Sequence, residues 1–286
     1  MIDSIPHLPN NPLFLGQAEV KRHIVYSRNG QELTLILPWS RPEHMPRRNS
    51  PLILFVQGSA WTTPNMDFEI PMLSHFAEAG AAVATVSHRS AAEGHPLPAF
   101  LVDVKCAIRY LRAHASEYDI NAERIVAFGT SSGGHTVCCL GLTGDDPRFR
   151  TEEYAQQSDA VQAVVACFAP TDLTALFTYL KDMPNGERTL TAYFGPDSAR
   201  WPEAMRELST PNMVRPGVKY PPFMLLHGTA DPLVPVSQLH ALYIPLKEAG
   251  AEVSAVYVDG AEHEGSFWSP EVRGAIYDEI MKRLGL

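Results

Sequence analysis

The run that most limits what this chain can fold into is Ile125-Val126-Ala127-Phe128-Gly129-Thr130-Ser131-Ser132-Gly133-Gly134-His135. A short apolar stretch enters Gly-x-Ser-x-Gly, and Val137, Cys138 and Leu140 then follow at helical spacing. That order predicts a strand, a sharp turn and a helix, with the serine side chain pushed out beyond the end of the sheet. Such a turn places the serine in strained backbone. The glycines two residues to either side remove side chains that would collide where strand and helix meet. A bare Gly-x-Ser-x-Gly is common by chance; its weight here comes from the strand before it and the helix after it.

The rest of the chain supplies a sheet for that turn. Short runs rich in Val, Ile, Leu, Phe or Ala occur at Leu52–Val56, Ala82–Val86, Arg124–Phe128, Val161–Phe168, Phe223–His227 and Glu252–Val258. They read as strands buried on both faces. Between them lie helical patterns at Phe68–Ala79, Phe100–His114, Val236–Ala249 and Glu271–Leu284, the first and third followed by Gly80 and Gly250 as C-caps. Strands alternating with helices predict parallel pairing with right-handed crossovers. Ahead of these, Val20–Arg28 and Glu32–Leu37 flank Asn29-Gly30, a hairpin signal. The expected fold is α/β: a mostly parallel twisted sheet flanked by helices, opened by antiparallel strands, as one domain over residues 1–286. The stretch from Asp172 to Tyr220, with its prolines, Trp201 and short helical pieces such as Glu203–Leu208, reads as a loop-rich insertion partly covering the site.

A serine hydroxyl needs a base, and the base needs an orienting group. Sites in open α/β sheets lie beyond the carboxyl ends of strands, and two more candidates sit there. Phe223–His227 runs into Gly228-Thr229-Ala230-Asp231, and Glu252–Val258 runs into Asp259-Gly260-Ala261-Glu262-His263. Ser131, Asp231 and His263 thus occur in the chain order serine, acid, histidine. Asp172 also follows a strand and is either a rival acid or a helix N-cap. Asp259, Glu262 and Glu264 read as loop residues, while His135 and His227 read as structural hydrogen-bond partners. His88 and His95 fall near possible pocket walls. Negative charge developing on a substrate oxygen calls for backbone N–H donors. Those expected are Ser132, after the serine, with Ser59 and Gly58 in the loop Gln57-Gly58-Ser59-Ala60-Trp61.

From about Ser50 to His263 these motifs resemble the α/β-hydrolase superfamily, most closely small bacterial carboxylesterases of the acetyl esterase, hormone-sensitive-lipase-like and feruloyl esterase type. Gly58 and Trp61 match that group's His-Gly-Gly-x-Trp, while Gln57 and Ser59 depart from it. Ser87-His88-Arg89, Pro96–Pro98, Asp103-Val104-Lys105, His227-Gly228-x-x-Asp231-x-x-Val234-Pro235 and Gly260-x-x-His263 are also similar. The resemblance implies an α/β-hydrolase fold and two-step acyl transfer by a Ser131, Asp231 and His263 triad, without metal or organic cofactor. The implied substrates are short-acyl or aromatic-acyl esters, of acetyl or feruloyl type on plant-derived saccharides. Trp61, Trp201 and Tyr179 are the candidate pocket residues, with Phe68 and Phe177 as further aromatics. Arylformamidases resemble the chain in the same motifs, which keeps formamide hydrolysis open. Prolyl-oligopeptidase-like peptidases do too, but usually bring a propeller domain for which 286 residues leave no room. A hydrolase-fold binding protein would be expected to lack part of the triad.

Bulk properties agree with a small-molecule enzyme. An apolar share of 45%, a charged share of 19% and a formal charge of −9 speak against disorder, nucleic acid and membrane as partners. Cys106, Cys138, Cys139 and Cys167 show neither zinc nor redox spacing and read as buried thiols. With no secretory pattern in Met1–Gly16, the expected compartment is the cytoplasm. The sequence specifies no oligomeric state.

Overall fold

The computed structural model describes residues 6–9, 16–39, 48–95 and 97–286, with Tyr193 described by its backbone alone. Pro96 and most of Met1–Gly16 lie outside the described residues. The chain opens with β1 (Ala18–Val25) and β2 (Glu32–Pro38), then runs through β3 (Ser50–Val56), α1 (Ile70–Glu78), β4 (Ala82–Val86), α2 (Ala99–Ala113) and the single turn α3 (Ala115–Tyr118). β5 (Ile120–Thr130) passes directly into α4 (Ser131–Leu142), followed by β6 (Ala163–Cys167), α5 (Leu173–Lys181), α6 (Gly186–Phe194) and α7 (Trp201–Leu208). β7 (Phe223–Gly228), α8 (Ser237–Glu248), β8 (Val253–Val258) and α9 (Pro270–Leu284) complete it.

The strands form one sheet in the order β1-β2-β4-β3-β5-β6-β7-β8. The first two pairings are antiparallel and the rest parallel. At Asn29-Gly30 the expected hairpin closes, with Gly30 N–H donating to the Ser27 carbonyl at 3.0 Å and Gly30 at φ +77°. Because side chains alternate along a strand, each inner strand feeds two cores. Leu52, Leu54 and Val56 join the core under α2, α4 and α5, while Ile53 and Phe55 join the core under α1 and α9. Ile125 and Ala127 divide from Val126 and Phe128 in the same way.

Two expectations change. Residues 252–258 do not form a strand buried on both faces: β8 pairs with β7 alone, and Tyr257 is 49% exposed. An edge strand lacks the second neighbour that buries an inner one. The stretch 172–220 is not mainly loop, since it carries α5, α6 and α7. The helical piece expected at Glu203–Leu208 is the body of α7, and Pro202 occupies its first turn, where no intrahelical N–H bond is lost.

Beneath α2 lies a buried ionic cluster. Lys105 and Arg109, one helical turn apart and both with fully buried side chains, hold the two oxygens of Asp159 at 2.6 and 2.8 Å. Lys105 Nζ also donates to the Thr143 carbonyl at 2.6 Å, and Arg109 Nη2 to Thr151 Oγ1 at 2.8 Å. Removing one partner from such a cluster strands a buried charge. Asp159→Ala is therefore expected to cost about 3–5 kcal/mol of stability, read as a lower urea midpoint with the slope unchanged.

Candidate active site

Ser131 sits where β5 becomes α4, at φ +50°. Space explains the glycines around it. A methyl group at Gly133 would fall 2.0 Å from the Val56 carbonyl oxygen, and one at Gly129 would fall 2.4 Å from the Gly133 carbonyl oxygen. Neither position needs positive φ; both need closeness.

The chain ends of β7 and β8 bring the other two candidates to this serine. His263 Nε2 lies 3.0 Å from Ser131 Oγ, and His263 Nδ1 lies 2.6 Å from Asp231 Oδ2. A carboxylate only accepts, so Nδ1 carries the proton and Nε2 is left to accept from the serine hydroxyl. Asp231 Oδ1 accepts the N–H groups of Leu233 and Val234, both at 2.9 Å. Burial alone raises the Asp231 pKa. Hydrogen bonds from His227, His263 and the Val234 N–H outweigh it and hold the carboxyl well below the ordinary carboxylate range. His227 Nε2 donates to the Val234 carbonyl at 2.8 Å, which also braces the Asp231 loop. The edge of Phe168 rests on the His263 ring, with centroids 4.6 Å apart. Asp172 takes the N-cap role of its two sequence readings: its side chain caps α5, accepting from Thr174 and Ala175 N–H at 3.0 Å.

The expected oxyanion loop is arranged differently from its sequence reading. Gly58 N–H donates to Thr130 Oγ1 at 2.9 Å, and Ser59 N–H donates to Ser132 Oγ at 3.0 Å. The hydroxyls on either side of Ser131 therefore occupy two of the three N–H groups that the sequence offered as donors, those of Gly58 and Ser59. Gly58 is glycine for another reason, since a methyl there would lie 2.7 Å from Ser131 Cβ. Beyond them the backbone turns left-handed at two non-glycine residues, Ala60 (φ +52°) and Trp61 (φ +57°). Ala60 lines the cavity over Ser131, and its N–H makes no hydrogen bond among the described residues. Ser132 stands in the first turn of α4, where N–H groups have no intrahelical partner. Gln57, in place of the histidine of similar loops, accepts the Asn65 N–H and bonds Glu69, whose pKa burial raises to about 7.

The space at Ser131 is small, about 50 Å³, walled by Ala60, Trp61, Pro170, Leu176, Leu180 and Leu233. Of the predicted pocket aromatics only Trp61 lines it. Trp201 faces a separate cavity of about 490 Å³ beside Phe194 and Pro98, because its indole N–H finds the Gly195 carbonyl at 3.0 Å. Tyr179 lies across the Asp231 loop, donating to the Pro232 carbonyl at 2.7 Å. Phe177 packs on Trp201, and Phe68 is 68% exposed. Sequence reasoning missed Leu176 and Leu180, although their i, i+4 spacing was a legible apolar stripe. His88 is buried, its Nδ1 near the Arg89 carbonyl, while His95 is partly exposed.

Comparisons with known proteins give the family and the fold. The family model described as BD-FAE matches residues 41–246. The chain belongs to the BD-FAE family. Among relatives, a probable carboxylic ester hydrolase, LipM, of Mycobacterium tuberculosis is 30% identical over 75% of this chain and 49% of that protein. Esterase LipC of the same organism is 27% identical over 85% of this chain and 59% of that protein. The chain thus spans about half to three-fifths of these curated relatives. A truncated carbohydrate esterase from gut microbiota superposes with a TM-score of 0.73 over 97% of this chain and 99% of that one, at 24% identity. That likeness is one of fold, and the fold is the α/β-hydrolase fold.

In this BD-FAE member the loop and the helix are joined by a buried histidine. Trp61 Nε1 donates to His135 Nδ1 at 3.2 Å, and His135 Nε2 donates to the Leu208 carbonyl at 2.8 Å. An indole only donates and a carbonyl only accepts, so His135 must be neutral. Burial pushes its pKa down to about 4. Unfolded, the same histidine protonates near pH 6.5, so between these values the unfolded chain binds the extra proton. The stability His135 contributes is complete above pH ~6.5 and is lost as pH falls toward 4, on the order of 3 kcal/mol in all. His88, also lowered by burial, acts in the same direction. Urea unfolding across this range should show that slope, and His135→Gln, which can still donate to Leu208, should flatten it.

Proposed function

We propose that this chain is a serine carboxylesterase for short-acyl esters, with Ser131 as nucleophile, His263 as general base and Asp231 as its orienting carboxylate. The observation that carries the reading is the continuous hydrogen-bonded line from Ser131 Oγ through His263 to Asp231, at 3.0 and 2.6 Å. The relatives LipM, a probable carboxylic ester hydrolase, and LipC, an esterase, support ester chemistry.

The steps follow from the geometry. As Ser131 Oγ attacks the ester carbonyl carbon, His263 Nε2 takes its proton, and Asp231 stabilises the imidazolium without being protonated itself. The tetrahedral oxyanion forms beside α4 and the 57–61 loop. The proposed donors are Ser132 N–H and Ala60 N–H, since Gly58 and Ser59 N–H are engaged; Ser59 N–H joins them if the Ser132 hydroxyl turns away. Collapse expels the alcohol, which takes the proton from His263. Water, deprotonated by His263, then attacks the acyl-enzyme, releasing the acid and restoring Ser131. None of these steps draws on a cofactor.

The narrow space between Ala60, Leu176 and Leu180 favours an acetyl-sized acyl group over a feruloyl one. An acylated plant saccharide suits an alcohol side left open to solvent. Leu176 and Leu180 give residues 172–220 the part of a partial cover, within one domain. Tyr179 supports the acid loop, and Trp201 shapes the neighbouring wall. Four buried, free cysteines suit a reducing compartment, which supports the cytoplasm.

A fluorophosphonate should label the chain at Ser131, and Ser131→Ala should abolish both labelling and turnover. His263→Ala should lower kcat by about 10⁴ or more; near-normal turnover would overturn its assignment. Across acetyl, butyryl and feruloyl esters and an aryl formamide, kcat/KM should favour acetyl over feruloyl by about tenfold or more. A preference for the formamide would move the substrate bond from ester to amide.

A further inference from the structure

Across the sheet from Leu176 and Leu180 lies a larger cavity, about 460 Å³, between α1 and α9. Met72, Phe76, Phe128, Trp268, Ile276 and Tyr277 wall it. Gly274, inside α9, opens onto it. A glycine within a helix is destabilising relative to alanine, and crowding does not require this one, because a methyl there would meet nothing within 4 Å. Its effect is to keep that turn of α9 from filling the cavity.

Charge points to the occupant. The chain carries 32 acidic residues against 23 lysines and arginines, yet no carboxylate lines this cavity. Arg273 does line it; its backbone N–H donates to the Ser269 carbonyl at 3.0 Å, while its guanidinium makes no hydrogen bond or ion pair among the described residues. His75, also at its edge, is paired with Glu78 at 3.3 Å.

The cavity also touches the serine site. Trp268 Nε1 donates to Glu264 Oε2 at 2.7 Å, and Glu264 directly follows His263 with φ +62° and ψ −155°. The Trp268 indole meets the Phe168 ring edge-on at 6.0 Å, and Phe168 in turn meets His263.

We propose that this cavity binds a small monocarboxylate with an aromatic body, its carboxylate on Arg273 and its ring among Phe76, Tyr277 and Trp268, and that occupancy is felt at His263 through Trp268. The effect on turnover rests on the esterase reading above; the binding does not.

The test titrates 2-naphthoate into the full Ser131→Ala chain, followed by tryptophan fluorescence and calorimetry. Saturable one-site binding is expected. Arg273→Gln, an exposed change that leaves the core intact, should weaken it about tenfold or more. Uncharged 2-naphthylmethanol should bind more weakly by a similar factor, and Gly274→Phe should abolish binding. In the unmodified chain, saturating naphthoate should change kcat for p-nitrophenyl acetate by about fivefold or more with KM little altered. Trp268→Phe should keep binding and lose that change. Binding unmoved by Arg273→Gln, or inhibition that only raises KM, would overturn the site. Binding as described with kcat unchanged would overturn its link to His263. Binding as described in a chain that turns over no ester would overturn the esterase reading and leave the cavity's ligand standing.

Discussion

The constraint on which the site depends is the contact of α4 with the end of the sheet. With Gly133 lying against the Val56 carbonyl, the helix can begin within two residues of the end of β5. That closeness forces Ser131 to φ +50° and lifts its hydroxyl beyond the strand ends. It also brings the loop after β3 against the serine, so that Gly58 meets Ser131 Cβ. The strain is borne by a parallel pairing, β3 to β5 to β6, in which residues 125–130 of β5 are all buried, so one strand cannot relax without its neighbours.

Once the helix and loop are this close, the residues beside the serine have to satisfy backbone as well as frame it. Thr130 and Ser132 do so by accepting N–H bonds from Gly58 and Ser59 in turn. The loop is thereby registered on Ser131 from both sides. Farther out, Trp61 reaches His135 on the next turn of α4, and His135 reaches the end of α7. One line of hydrogen bonds thus ties the loop, the helix and the covering segment together.

This explains what was legible beforehand. The meeting of Ser131, Asp231 and His263 could be anticipated because each lies shortly beyond the end of a strand in a turn with a glycine within three residues, which are local signals. The parallel inner sheet could be read for the same reason. The free donors in the loop could not, because the choice depends on hydroxyls from residues 130 and 132 captured across more than seventy positions. Trp201 was misplaced because a buried indole goes where its N–H finds an acceptor, and that acceptor was Gly195. The helices α5 and α6 were obscured by Pro170, Pro184 and Pro196, which flank them without breaking them.

The two carboxylate-bearing loops at the site differ in how firmly they are held. Asp231 is fixed by two backbone N–H groups, His263 and the nearby His227, so it has little freedom to move. His263 is followed at once by a non-glycine residue in a region that side chains disfavour, and that residue is held by Trp268. Any adjustment of the imidazole relative to Ser131 is therefore more easily made in the His263 loop than in the Asp231 loop. Phe168 sits on the same imidazole from beneath the sheet end, in contact with Trp268 as well. The position of His263 is thus set from both faces of the sheet: by Ser131 and Asp231 at the strand ends, and by aromatic packing on the α1 and α9 side.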